Sequence, residues 1–222
     1  MVTGNGARPR PLAEGGFTLV ELLVALVVTL LVVGGATMLA GQMQGSYRAQ
    51  MEAAAAQQDA RFVLEEVTRY LRQAGNNPYR IRNAQCPGNP TPFMPVRLDP
   101  DTDGVADDIR IQMDANPANG LLGGVAGACV ELEEDLIIAH DAANRTVTIS
   151  DSNGGAPVRT LADGLVTNLR FSYRDPSRNV TANAQNVAFI QTTVTVRTRL
   201  NDLNQGRPLE YTLSSEVRVR SR

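Results

Sequence analysis

From Phe17 to Ala40 the chain runs 24 residues with one ionisable side chain, Glu21. A helix of that length extends roughly 36 Å, enough to cross a hydrocarbon core near 30 Å. Beyond it the apolar positions settle into helical spacing. Met51–Ala56 is alanine-rich and strongly helix-forming. The stretch "RFVLEEVTRYLRQAG" then sets Val63, Val67, Tyr70, Leu71 and Ala74 on one face. On the other face Glu65 and Arg69 stand four apart in the order that favours pairing. Gly75 supplies a C-terminal cap and Pro78 stops continuation. The pattern predicts one helix over Phe17–Ala74, about 58 residues and roughly 87 Å long. Its first half faces lipid or other helices, and its second half packs one face on a domain.

Residues 76–106 read as a proline-rich loop region. After it the period drops to two. "DDIRIQM" predicts a strand, and "DLIIAHD-AAN-RTVTIS" a hairpin followed by a turn at "DSNGG". "LVTNLRFSYR", "NVAFIQTTVTVRTRL" and "LEYTLSSEVRVR" are long alternating segments rich in Thr, Val, Phe and Tyr. The one helix-like interruption among them is "TLADGL". Consecutive strands without crossover helices pair antiparallel, so the fold class is α+β: one long N-terminal helix on an antiparallel β-sheet.

Composition narrows the function. The formal charge is −2, with 21 Arg, no Lys and 23 acids, and no basic stripe of the kind nucleic acid requires. The two cysteines, Cys86 and Cys129, lie beyond the apolar run. In an exported domain they are expected to form a disulfide, and in the cytosol to stay thiols.

Three readings compete for the N-terminus. A cleavable secretory signal has an apolar stretch of about 7–15 residues and a small-residue exit. The run here is too long, and "TMLAGQ" has Met38 where a small residue belongs. A plain signal anchor fits the length, with Arg8 and Arg10 holding the leader inside, but explains neither Glu21 nor Gly15-Gly16. A carboxylate at the bilayer centre costs on the order of 2.5–3.5 kcal/mol, so it calls for a partner.

The stretch "GG-FTLVE-LLVAL" resembles the processing signal of type IV pilins and of the related pseudopilins of type II secretion. The resemblance implies that a prepilin peptidase cuts between Gly16 and Phe17 and that the new N-terminus is methylated. Glu21 is then the fifth residue of the mature chain. It is implied to pair with the Phe17 amine, of a neighbouring subunit or of its own chain. Two buried charges that are each costly alone offset one another when paired, which makes Glu21 a device for assembly register. Gly34 and Gly35, each costing roughly 1 kcal/mol in a helix, mark either close helix packing or, as the family implies, a stretch that unwinds on assembly. "ARFVLEEVTRYLRQAG" followed by "DTDGVADDIRIQ" looks like the PilW type of minor pilin, with the J-type pseudopilin as the near alternative.

"DPDTDGVADD" is the richest polar cluster. Asp99, Asp101 and Asp103 fill positions one, three and five of an EF-hand-like calcium loop, with Gly104 at six. Asp107 or Asp108 could add a ligand. Arg110 replaces the bidentate Glu of position twelve, which excludes a true EF-hand. The competing reading is a solvated acidic turn. His140, the lone histidine, is expected to be structural. With no H-E-x-x-H, G-x-S-x-G or phosphate-cradling loop, no enzyme is expected and no cofactor beyond Ca2+.

The resulting expectation has four parts: a leader (1–16), a membrane and fibre-core helix half (17–40), a domain half of the helix (41–75), and a loop region with antiparallel sheet (76–222). The function expected is that of a minor pilin, processed, N-methylated and built into a type IV pilus, at or near its tip. The alternatives are a type II secretion pseudopilin, or a bitopic protein with an exported calcium-binding domain. Expected partners are sibling pilin subunits, the prepilin peptidase, an inner-membrane assembly platform and the membrane itself. The C-terminal domain is expected outside the cytoplasm, held first at the bacterial inner membrane and then in the fibre.

Overall fold

The computed structural model describes residues 16–84, 91–115, 122, 134–152, 157–201 and 206–220. The leader before Gly16, both cysteines and most of the "DSNGG" turn lie outside the described residues. The chain forms two compact units, one ending at Tyr47 and one beginning at Arg48.

The helix α1 spans Leu19–Gln73, within two residues of the predicted ends. In the first unit its apolar side chains, Leu19, Leu23, Val27 and Leu30 among them, are exposed. It passes through Gly34 and Gly35 without interruption, and a Cβ at either would meet nothing within 4 Å. In the second unit the predicted face is buried: Val63, Val67, Tyr70, Leu71 and Ala74, extended upstream by Ala56 and Ala60. Burying a side chain such as Leu71 contributes roughly 1.5–3 kcal/mol. The expected Glu65–Arg69 pair is not made. Arg69 instead bonds Glu66 at 2.7 Å and lies 4.4 Å over the Tyr70 ring, because Tyr70 draws the guanidinium to its own side of the helix.

Gly75 ends α1 with φ +79°, and its N–H donates to the carbonyl of Gln112 at 2.9 Å. A Cβ there would lie 2.8 Å from the Arg220 carbonyl oxygen and 3.1 Å from Pro95 Cβ. The position therefore needs glycine twice, for its backbone conformation and for the close approach of neighbouring chain.

Among the described residues the strands fall into three antiparallel sheets where the sequence pattern suggested one. A two-stranded ribbon pairs β1 (Asn83–Ala84) with β2 (Thr91–Pro92). A five-stranded sheet follows in the order β3 (Val96–Leu98), β4 (Ile109–Gln112), β5 (Asp135–Asp141), β6 (Thr146–Asp151) and β7 (Arg159–Ala162). A three-stranded sheet is built from β8 (Val166–Arg174), β9 (Phe189–Asn201) and β10 (Pro208–Arg218), with a short 3-10 turn at Ala184–Asn186. The helix-like "TLADGL" is β7 followed by a turn. Leu161 is buried there, and Arg159 reaches back to α1, donating to Tyr70 Oη at 2.9 Å and bonding Glu66 at 3.2 Å. After Gly164 (φ +71°) the chain leaves the larger sheet, since Val166 pairs with Val196 of β9.

One core joins α1 to both larger sheets. Ile109, Ile111, Ile138, Val147 and Ile149 come from the first, and Leu169, Phe171, Ile190 and Val194 from the second. A charged group is also buried, at the start of β5. Asp135 has its side chain 1% exposed and accepts a two-pronged ion pair from Arg110, at 2.7 and 2.6 Å. Gln112 Nε2 adds a third bond to Asp135 at 2.9 Å, and its Oε1 accepts from the Met94 N–H at 2.8 Å. Such a buried charge is tolerable because its partners satisfy it.

Candidate functional site

The first candidate is the start of α1. Thr18 stands just before the helix, and its hydroxyl accepts from the Glu21 N–H at 3.2 Å. The T-x-x-E order is that of a capping box, of which the threonine half alone is formed, a local role for Thr18 that the sequence reading missed although the spacing displays it. Glu21 also lies in the first turn, at the positive end of the helix dipole, where an acid is favoured. The segment is long and apolar enough to cross a membrane.

Within lipid every polar group needs a partner supplied by protein. Thr29 Oγ1 donates to the Ala25 carbonyl at 2.7 Å, and Thr37 Oγ1 to the Gly34 carbonyl at 2.9 Å. Thr18 is engaged by the cap. Among the described residues the Glu21 carboxylate has no hydrogen-bond or ion-pair partner. It is the one polar side chain of the run that the helix does not satisfy itself. Gly16 and Phe17 precede the first turn and are exposed.

The second candidate is the acidic loop between β3 and β4. Asp99 (φ +46°), Thr102 (φ +63°) and Gly104 (φ +84°) all take left-handed backbone conformations, and these coil the loop around its own carboxylates. Asp99 accepts from the N–H groups of Asp103 and Gly104, at 3.1 and 3.0 Å. Asp101 also accepts from the Asp103 N–H, at 3.2 Å. Asp99, Asp101 and Asp108 each bring a carboxylate oxygen within 4.8 Å of the others.

The other two acids of the predicted cluster are engaged elsewhere. Asp103 accepts from the Val105 N–H at 2.7 Å. Asp107 lies 3.6 Å from Nδ1 of His140. The His140 ring is buried, with Nε2 3.1 Å from the Val166 carbonyl, and so links the β5–β6 hairpin to the start of β8. Arg110, at the twelfth position of the loop, is committed to Asp135. Asp108 is buried, and that burial pushes its carboxyl up to about 6, with the charges of Asp101, Asp99 and Asp107 adding to it. The Tyr173 hydroxyl is raised as well, by burial first and then by Asp108 and Asp99.

The family profile described as the prokaryotic N-terminal methylation motif matches residues 12–37. No curated protein and no solved structure matches the chain. The match brackets Gly16, Phe17 and Glu21, and it supports a type IV pilin-like precursor, pilin or pseudopilin, handled by a prepilin peptidase and anchored in a membrane through its N-terminal helix.

Proposed function

We propose that this chain is a minor pilin, of the PilW type, that works by assembly and turns over no substrate. Residues 1–16 are removed, Phe17 is methylated, and residues 17–40 pass from the membrane into the core of a type IV pilus. Residues 41–75 present the C-terminal domain (76–222), which stays outside the cytoplasm and sits at or near the fibre tip. Sibling pilin subunits and the inner-membrane assembly platform are its partners.

The observation that carries this reading is the Glu21 carboxylate. The threonines of the apolar run are satisfied inside their own helix, and Glu21 alone awaits a partner. Cleavage after Gly16 creates a cationic amine four residues away along the chain, and the same amine on every sibling subunit. An ion pair between them is made only when helices pack in register, so wrong stacking leaves a charge unpaired in an apolar core. The test is the mature N-terminus. Mass spectrometry of the membrane-held protein is expected to show N-methylated Phe17, and Gly16→Leu to keep the leader, because a pocket shaped for a small residue cannot take a branched one. A wild-type protein at full precursor mass would overturn the proposal in favour of a plain anchor.

A further inference from the structure

We propose that Asp99, Asp101 and Asp108 hold a calcium ion where the acidic loop meets the smaller sheet. The site is independent of the pilus reading and stands or falls separately. Two observations beyond the cluster of acids point to a ligand. Asp108 is 3% exposed, and its Oδ1 has no hydrogen-bond partner, while Oδ2 takes only the Asp101 N–H at 3.3 Å. Tyr173 of β8 is 7% exposed, its hydroxyl is likewise buried without a partner, and it feels the charges of Asp108 and Asp99. A buried, unsatisfied carboxylate oxygen is costly unless something charged completes it. Among the described residues no arginine or histidine comes within ion-pair distance of Asp99, Asp101 or Asp108. A cation is the missing group.

The donor set identifies which cation. All three ligands are hard carboxylate oxygens, with neither sulfur nor imidazole, which selects against zinc and copper. The three oxygens lie within 4.8 Å of one another, close enough for one calcium ion with bonds of about 2.3–2.6 Å to reach them together. Three carboxylates are also more than the one or two that magnesium usually takes while keeping its waters. The remaining positions fall to water, and the Tyr173 hydroxyl gains a partner in that shell. The loop is already tied to β8, since the Phe171 N–H donates to the Ala106 carbonyl at 2.7 Å. The ion therefore clasps the β3–β4 loop and the base of β4 beside the neighbouring sheet.

The experiment uses the full chain in detergent micelles, stripped of metal with a chelator and titrated with terbium, a luminescent substitute for calcium. Tyr173 beside the site serves as the antenna. Expected are saturable, tyrosine-sensitised emission, displacement by calcium well before magnesium, and an affinity at least about tenfold weaker in Asp101→Asn. Asp101 is exposed, so that variant keeps its fold even where Asp108→Asn does not. Tyr173→Phe should lose most of the emission while calorimetry still registers calcium. Absence of saturable emission from the wild type, emission unchanged in Asp101→Asn, or displacement by magnesium as readily as by calcium would each overturn the assignment.

Discussion

Replacing Gly75 by alanine separates two costs that usually arrive together. An alanine at φ +79° incurs the left-handed penalty, roughly 1–2 kcal/mol, partly offset by the lower entropy of its unfolded chain. It also places a methyl group 2.8 Å from the Arg220 carbonyl and 3.1 Å from Pro95 Cβ. Both neighbours are held, one just past β10 and the other just before β3, so the clash is relieved only by moving backbone, at a cost of about 1–3 kcal/mol. The sum is about 2–4 kcal/mol. Gly164 is the internal control, because at φ +71° a Cβ added to it would meet nothing within 4 Å. Gly164→Ala should therefore show the conformational part alone, about 1 kcal/mol. At 2–4 °C per kcal/mol for a domain of this size, Gly75→Ala should lower the melting temperature by roughly 4–16 °C and Gly164→Ala by roughly 2–4 °C. Circular dichroism on the detergent-solubilised chain reads both. Equal melting temperatures for the two variants would show that the end of α1 is not held tightly against the sheets.

Glu21→Leu should be cleaved and held in the membrane yet be poorly incorporated, because the Phe17 amine loses its counter-charge; fractionating sheared fibres from membranes checks this, and normal incorporation refutes it. Asp135→Ala removes the acceptor shared by Arg110 and Gln112 and should cost about 3–5 kcal/mol, whereas Asp135→Asn keeps the shape and one acceptor and should cost less; a melting temperature unmoved by the alanine contradicts the network. Cys86 and Cys129 should be joined in exported protein, closing a loop of about 43 residues that contributes roughly 3–4 kcal/mol; two free thiols by non-reducing mass spectrometry would refute it.

The elements legible in the sequence are those long enough to repeat their period. The face of α1 from Val63 to Ala74 and the alternation of β8, β9 and β10 recur over several turns or pleats, and they emerge where the pattern places them. A strand such as β7, with four residues, shows too few alternations to tell Leu161 from one apolar position of a helix. The division into separate sheets is set by a turn at Gly164 and by the pairing of Val166 with Val196, thirty positions apart, which no local pattern records. The acidic loop was visible, but its five aspartates look alike in sequence. Burial distinguishes Asp108, in a loop that is hydrogen-bonded to chain as distant as Phe171. Arg69 choosing Glu66 over Glu65 likewise depends on the ring of Tyr70 and on Arg159 approaching from β7.

In each sheet, neighbouring strands are also neighbours in the chain. Among the described residues each strand pairs with the one before or after it in the chain, and none has to thread between two that have already paired. Short-range pairing keeps the entropy of loop closure small and favours fast folding. A chain delivered N-terminus first can therefore complete β3–β7 while β8–β10 are still to come. Order of arrival and order of assembly coincide, so exposed strand edges are covered soon after they form, which limits the interval in which they could aggregate.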